Sequence, residues 1–475
     1  MLIIIYFSLV FCTVICQEIP QEFFEYYKYN AQIDRGVNWD YHSTFGPLRK
    51  KQLRPETEFS DSSVFNYQAG FINQTENNDN SSILYGYEHF NFKKYFYTFL
   101  YTRIVTDVNA VPHYSGIPQE ISRFGFRSGE NDLAGIGYSN DWVFLQFGRG
   151  RQSWGGGNGI NLALTENAAP YDFGMLGLDL GKIKYRYING YLETYNKSQR
   201  YLSARGLEYK KDMFLISMSE IVVYSGLNRA MDFSYLNPIS THLEIELNNR
   251  QNRHGTDSGN AIWQFSADLI AKDNFRISGN FLIDELILDK VELDQGKENG
   301  IAFSLKTVFS PPIKRLGITQ KLLSLYFSWI HVGTHTFRHE RVSDMITGDI
   351  IGYNNFVQRG IPLGWDEGSD GEDFRLGINY FNNRNILCDL YLGIKRIGSE
   401  NLKERPYEYY TDYLSGTFPS GEVDIKTYIS KKIFWQFKPN IMIFSHIDYS
   451  ESNHYGKNLD MKIGFNVFHK AYLNI

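Results

Sequence analysis

Residues 148–160 read GRGRQSWGGGNGI. Arg149, Arg151, Gln152, Trp154 and Asn158 place two guanidinium forks, a large ring and two amides in one short segment. A guanidinium meets a carboxylate with two parallel hydrogen bonds. An aromatic face suits the apolar face of a sugar ring, and amides bond hydroxyls. The set therefore suits contact with an acidic polysaccharide. The interspersed glycines permit close backbone approach and positive φ. They suit a second role better: a constriction packed inside a larger fold, its arginines paired to carboxylates. The run is not a phosphate-binding loop, because no Gly-Lys-Ser/Thr follows it.

Other clusters point less clearly to chemistry. His331, His335 and His339 recur every four residues. On a strand that spacing separates neighbours by about 13 Å, too far to share an ion. They read as a wet strand end, and no metal or other cofactor is expected. The acidic run 366–373 lacks the spacing of a calcium loop and reads as a solvated turn. Residues 249–254, NRQNRH, read as a solvated tip. With Asp284-Glu285, these acids form no recognisable catalytic set, so an enzyme is not expected.

The N-terminus and cysteines bear on compartment. Residues 2–16 are an apolar run of 15, short of the roughly 20 a membrane helix needs, and Gln17-Glu18 follow at once. The segment 1–16 reads as a secretory signal peptide. Of three cysteines, Cys12 and Cys16 lie within it, leaving Cys388 and no internal disulfide. The chain has 475 residues and a net charge of −5, against a nucleic-acid partner. Its mean hydropathy of −0.36 excludes a bundle of membrane helices. Aromatics make up 16%, too many for a disordered chain.

The elements that must carry these residues have a period of two. In 274–283, Phe275, Ile277, Gly279, Phe281 and Ile283 share one face and Asn274, Arg276, Ser278 and Asn280 the other. The same alternation recurs at 182–188, 261–269, 373–380 and 459–467. Apolar segments of about ten residues match tilted membrane strands rather than the shorter strands of a sandwich. Mid-strand charges (Arg276, Arg375, Lys462) suit a watery lumen, and Trp142, Tyr191, Tyr224, Tyr380 and Trp435 suit interfacial girdles. Closure removes unpaired edges without disulfides. The expected fold is all-β, a transmembrane antiparallel β-barrel of about 18 strands spanning residues 61–475. It is expected in the outer membrane of a Gram-negative cell, as a monomer in contact with outer-membrane lipid. Residues 17–60 read as a short periplasmic or lumen-facing segment, with one or two helical turns at 23–28 before Gly36 breaks the chain. Residues 73–82, NQTENNDNSS, read as a polar loop, and longer loops are expected at 148–174, 248–260, 338–372 and 396–422.

Several strings occur in a telling order. They are residues 148–157 and 162–170 (LALTENAAP), then 220–226 (EIVVYSG), 233–238 (FSYLNP), 259–263 (GNAIW), 279–285 (GNFLIDE) and 360–364 (GIPLG). Over residues 140–375 this series resembles the capsule assembly protein (Wzi) family. The resemblance implies an outer-membrane barrel of about 18 strands that holds capsular or extracellular polysaccharide, in effect as a lectin with a plugged lumen. Asn237, at an Asn-Pro turn within these strings, joins Arg149, Arg151, Gln152, Trp154 and Asn158 as a candidate ligand-binding residue. A porin-like channel for small solutes or oligosaccharides uses the same polar-in strands and is the alternative.

Overall fold

The computed structural model describes residues 18–37, 39–47, 63–93, 95–109, 121–252, 259–272, 274–287, 290–294, 296, 298–315, 318–320, 322–339, 342–343, 347–409 and 416–474. The expected signal segment 1–16, with Cys12 and Cys16, lies outside them, as do Arg253 and His254.

Eighteen antiparallel strands close into a barrel. They are β1 (Val64–Glu76), β2 (Asp79–Phe92), β3 (Phe96–Val105), β4 (Leu133–Ser139), β5 (Val143–Gly150) and β6 (Tyr171–Asp179). Next come β7 (Ile183–Tyr195), β8 (Ser198–Lys211), β9 (Phe214–Leu227), β10 (Asn260–Lys272), β11 (Phe275–Glu285) and β12 (Gly300–Phe309). The last are β13 (Leu323–Val332), β14 (Gly371–Phe381), β15 (Ile386–Ile397), β16 (Asp424–Lys438), β17 (Ile441–Ser452) and β18 (Gly456–Asn474). Each strand pairs with its sequence neighbour, and β1 closes on β18 from Val64↔Asn474 to Glu76↔Lys462. Both ends of the barrel chain lie on the side of the short turns, the periplasmic side in barrels of this kind; the long loops lie on the extracellular side.

Alternation along the strands makes the two faces. On β11, Arg276, Ser278 and Asn280 are buried in the lumen while Phe281 is exposed. On β14, Leu376 and Ile378 are exposed outward. A greasy outer belt with no unpaired edge satisfies every backbone group within hydrocarbon.

Three sequence expectations change. Residues 73–82 are no loop: β1 and β2 run through them to a two-residue turn at Asn77 and Asn78, with φ of 46° and 80°. Asparagine tolerates that left-handed pair, which matches strand twist and closes the hairpin tightly. The helix near residue 23 is longer, α1 (Phe24–Asp34), ending before Gly36 at φ 70°. It has no side-chain N-cap, and burial of Phe24, Tyr29, Ala31 and Ile33 sustains it instead. Tyr224 is not an interfacial aromatic. It is wholly buried, because the 228–252 stretch folds over it and carries two short helices, α2 (Phe233–Leu236) and α3 (His242–Leu247).

Candidate functional site

The described part of the N-terminal segment, residues 18–47, sits inside the barrel with the inward-folded loop 151–170. Together they form a plug. At the periplasmic end, Arg35 donates to Leu322 O at 2.9 Å and Phe381 O at 3.2 Å. Near the same end, Arg276 pairs with Asp268, which also bonds His42 Nε2 at 2.8 Å. Arg276 Nη1 further donates to Ile33 O at 2.6 Å, tying wall to helix. Burial lowers the His42 pKa, an effect that Asp268 opposes and Arg276 reinforces. Glu208 accepts from Thr44 N at 2.7 Å and Thr44 Oγ1 at 2.8 Å. The two plug segments pair with each other: Gly46 N–H donates to Ser153 O at 2.6 Å and Gly155 N–H to Thr44 O at 2.9 Å.

Gly155, Gly156 and Gly157 of this loop are steric requirements. A Cβ at Gly156 would lie 2.6 Å from Ala267 O on the wall. Trp154, beside them, is wholly enclosed against Phe45 with ring centroids 4.9 Å apart.

The plug leaves one side of the lumen open. A cavity of about 630 Å³ lies between α1, the 158–167 stretch and the inner faces of β12–β18. It extends from Asp366 in an extracellular loop to Leu387 and Phe434 near the periplasmic turns. Tyr26 and Tyr27 line its plug side; Tyr326, Tyr391 and Tyr428 line its wall. Tyr27 stacks on Phe434 with centroids 3.8 Å apart, and Tyr391 meets Tyr428 edge-on at 6.1 Å.

Charges alternate with these rings. Lys306 pairs with Asp34 at 2.9 Å and Arg375 with Asp373 at 2.5 Å, while Tyr428 Oη donates to Asp373 at 2.6 Å. Lys395 and Lys403 clamp Glu367 at 2.5 Å and 2.9 Å. Burial pushes the Glu367 carboxyl up, and the two ammoniums outweigh it, holding its pKa at about 2. Lys426 and Lys432 line the cavity without an ion pair, among the described residues; Lys432 lies 5.9 Å from the Tyr391 ring centre. Aromatic faces, free ammoniums and amides around a wet cleft can grip a polyhydroxylated anion.

The six candidate residues from the sequence do not gather at one place. Asn158 lines the cavity and donates to Asn30 O at 3.2 Å. Arg149 lies on the outer face at the extracellular end of β5, paired with Glu130 at 2.5 Å and Asp172 at 2.8 Å. Arg151 donates to Ala168 O at 2.6 Å and pairs with Asp132 at 3.1 Å. Gln152 and Trp154 are buried in the plug, the Gln152 amide without a hydrogen-bond partner. Asn237 caps the C-terminal end of α2, outside the barrel and apart from the other five. The cavity tyrosines and lysines went unnoticed, although every second residue from Lys426 to Lys432 (Lys, Tyr, Ser, Lys) carries the signal.

The histidines also separate. His331 lies on the outer face of β13, stacked on Phe303 with centroids 4.7 Å apart, while His335 is buried in the following turn. No metal-binding group of side chains occurs among the described residues. In the 366–373 acidic run, Asp370 accepts from Thr334 Oγ1 at 2.8 Å and Ser420 N at 2.9 Å, so it fastens loops together.

No protein-family model matches this sequence, and no curated relative does. Among solved structures, the fold is similar to OprD of Pseudomonas aeruginosa, at TM-score 0.46 and 8% identity over 88% of this chain and 97% of that one. It is similar to OpdK of Pseudomonas aeruginosa, solved with vanillate, at 0.47 and 8% over 87% and 100%. It is similar to Wzi of Escherichia coli, an outer-membrane protein involved in group 1 capsule assembly and a carbohydrate-binding β-barrel. There the TM-score is 0.55 at 12% identity, over 93% of this chain and 92% of that one. At these identities the likeness is one of fold: the chain is an 18-stranded outer-membrane β-barrel.

Proposed function

We propose that this barrel is Wzi-like and holds an acidic capsular or extracellular polysaccharide at the cell surface. The observation that carries this reading is the lumen cavity, with Tyr26 and Tyr27 facing Tyr391 and Tyr428 and with Lys426 and Lys432 unpaired beside them. Sugar rings lie on the tyrosines, and glycan carboxylates meet the lysines. Asn158 contributes from the plug. Arg151, Gln152 and Trp154 act by fixing the plug loop, while Arg149, on the outer face, and Asn237 stand apart from the cavity. The fold likeness to a carbohydrate-binding barrel and the ordered strings over 140–375 support the same reading. The role is binding, not catalysis.

A second reading has its own support. The cavity spans most of the distance between the two rims, as a conduit for small solutes or oligosaccharides would. Two measurements separate them. Polymer binding by the purified protein, together with polymer loss from cells lacking it and silence in planar bilayers, supports the lectin. Steady large conductance without polymer binding overturns it in favour of the channel.

A further inference from the structure

The two ends of the lumen cavity differ. The inward-facing residues of β16 descend from the extracellular side in the order Lys426, Tyr428, Ser430, Lys432, Phe434. Each inward residue lies about 6.6 Å below the last, which puts Lys426 and Lys432 about 20 Å apart. Two of the cavity tyrosines lie flat against the wall. Tyr428 covers Gly393 and Tyr326 covers Gly377, their partners in register, and a Cβ at either glycine would collide with the ring. Flattened rings turn a face, not an edge, toward the cavity.

The lower end is closed. One inward step below Lys432, Phe434 stands between Leu387 of β15 and Phe444 of β17, and Leu387 stands beside Phe381 of β14. Four adjacent strands thus present one apolar layer. Helix α1 lays Phe24, Tyr27 and Ala31 on it, three positions on one helical face. Leu387 is 3% exposed and Phe381 0%. Arg35, just past the helix, ties it to the wall through the Leu322 and Phe381 carbonyls. A packed apolar layer admits neither charge nor sugar hydroxyls without a large desolvation cost.

The upper end is open: Asp366 and Asn167 line it and are exposed. The wall carboxylates near Lys432 are engaged by the wall itself. Asp389 accepts from Tyr326 Oη at 3.3 Å, and Asp448 lies 2.6 Å from His446 Nε2.

We propose that the cavity is a blind socket that takes the end of an anionic polysaccharide chain from the extracellular side. The inference rests on the glycan reading of this cavity and adds which part of the polymer is held. A chain passing through needs an exit, and the layer formed by Phe381, Leu387, Phe434 and α1 offers none among the described residues. A stretch from the middle of a chain would have to run to the floor and turn back within about 630 Å³, and linked pyranose rings do not double back over so short a span. A terminal unit meets neither obstacle. It rests above the floor with its carboxylate at Lys432, the next rings lie on the tyrosines, and a later carboxylate reaches Lys426.

The test uses the full-length barrel in detergent with hyaluronan, alginate and polygalacturonate, each as an octasaccharide and as a long polymer. Calorimetric titration gives the number of barrels bound per chain. End capture requires the same number at both lengths for every polysaccharide that binds. A number that rises with chain length would overturn end capture and leave side-on glycan binding standing. Binding of none of the three would overturn the glycan reading itself, and end capture with it. The floor is tested separately in planar bilayers. The wild type should be silent, and the double variant Leu387→Ala, Phe434→Ala should conduct at least tenfold above it, with unchanged mobility of the unheated band on a gel. Steady conductance by the wild type would overturn the closed floor, and silence of the folded double variant would overturn its assignment to these residues. If the double variant does not fold, the wild-type stoichiometry decides alone.

Discussion

Asn280 on β11 and Gly156 in the plug exchange two hydrogen bonds: Gly156 N–H to Asn280 Oδ1 at 2.7 Å and Asn280 Nδ2 to Gly156 O at 3.0 Å. Wall and plug are paired much as two strands would be. Asn280→Ala leaves both backbone groups of Gly156 buried and unmatched, at about 1–3 kcal/mol. Amide exchange across 152–164 should quicken at least tenfold while β11 stays protected. Unchanged exchange would show that other contacts hold the loop.

A side chain at residue 156 tests the same contact by sterics. The Cβ of Gly156→Ala would press on Ala267 O at 2.6 Å. Backbone oxygen in a closed sheet yields little, so a loss of about 1–3 kcal/mol is expected. A denaturant midpoint equal to that of the wild type would mean that the plug rides freely over the wall.

The cavity lysines should discriminate by charge. Changing Lys426 and Lys432 together to Gln removes two charge-assisted bonds to a carboxylate, each worth about 1.5–3 kcal/mol. Calorimetric titration should show at least a tenfold weaker Kd for an acidic oligosaccharide and no change for a neutral one of equal length. Equal losses for both would place the effect in cavity shape instead.

Acid should loosen the extracellular loops through Glu367. Its carboxyl is held at about 2, below its ordinary 4.5, by Lys395 and Lys403. Because the folded-state pKa is the lower one, the clamp contributes fully above about pH 4.5 and is lost as pH falls toward 2. Proteolysis or amide exchange in 398–409 should rise over that interval in the wild type. Glu367→Gln should start higher and lack this step; an identical acid profile in both would refute the assignment.

Much of the fold was legible because a strand repeats every two residues wherever it lies. Phe281 and Arg276 point to opposite faces as their alternation requires. The expected number of strands followed from the length, since strand and connection consume a near-constant stretch of chain. What escaped was whatever depends on a distant segment. Tyr224 looks like any outward aromatic until the 228–252 stretch covers it, and nothing local to its strand announces that. Trp154 looked like a platform for a ligand, yet its partner Phe45 lies more than a hundred residues upstream. The cavity was spelled out in β15 and β16, but its residues are ordinary lumen-facing types. Only the position of the plug, on the opposite side of the lumen, distinguishes them from residues it covers.

The stopper of this vessel is threaded ahead of its walls. Residues 18–47 precede β1, and the seam that completes the cylinder joins β1 to β18, the final staves to arrive. The two extremes of the chain thus meet around one bore: Glu25 of the leading helix pairs with Lys470 of the last strand at 2.9 Å, so the stopper is fastened to the very stave that completes the cylinder.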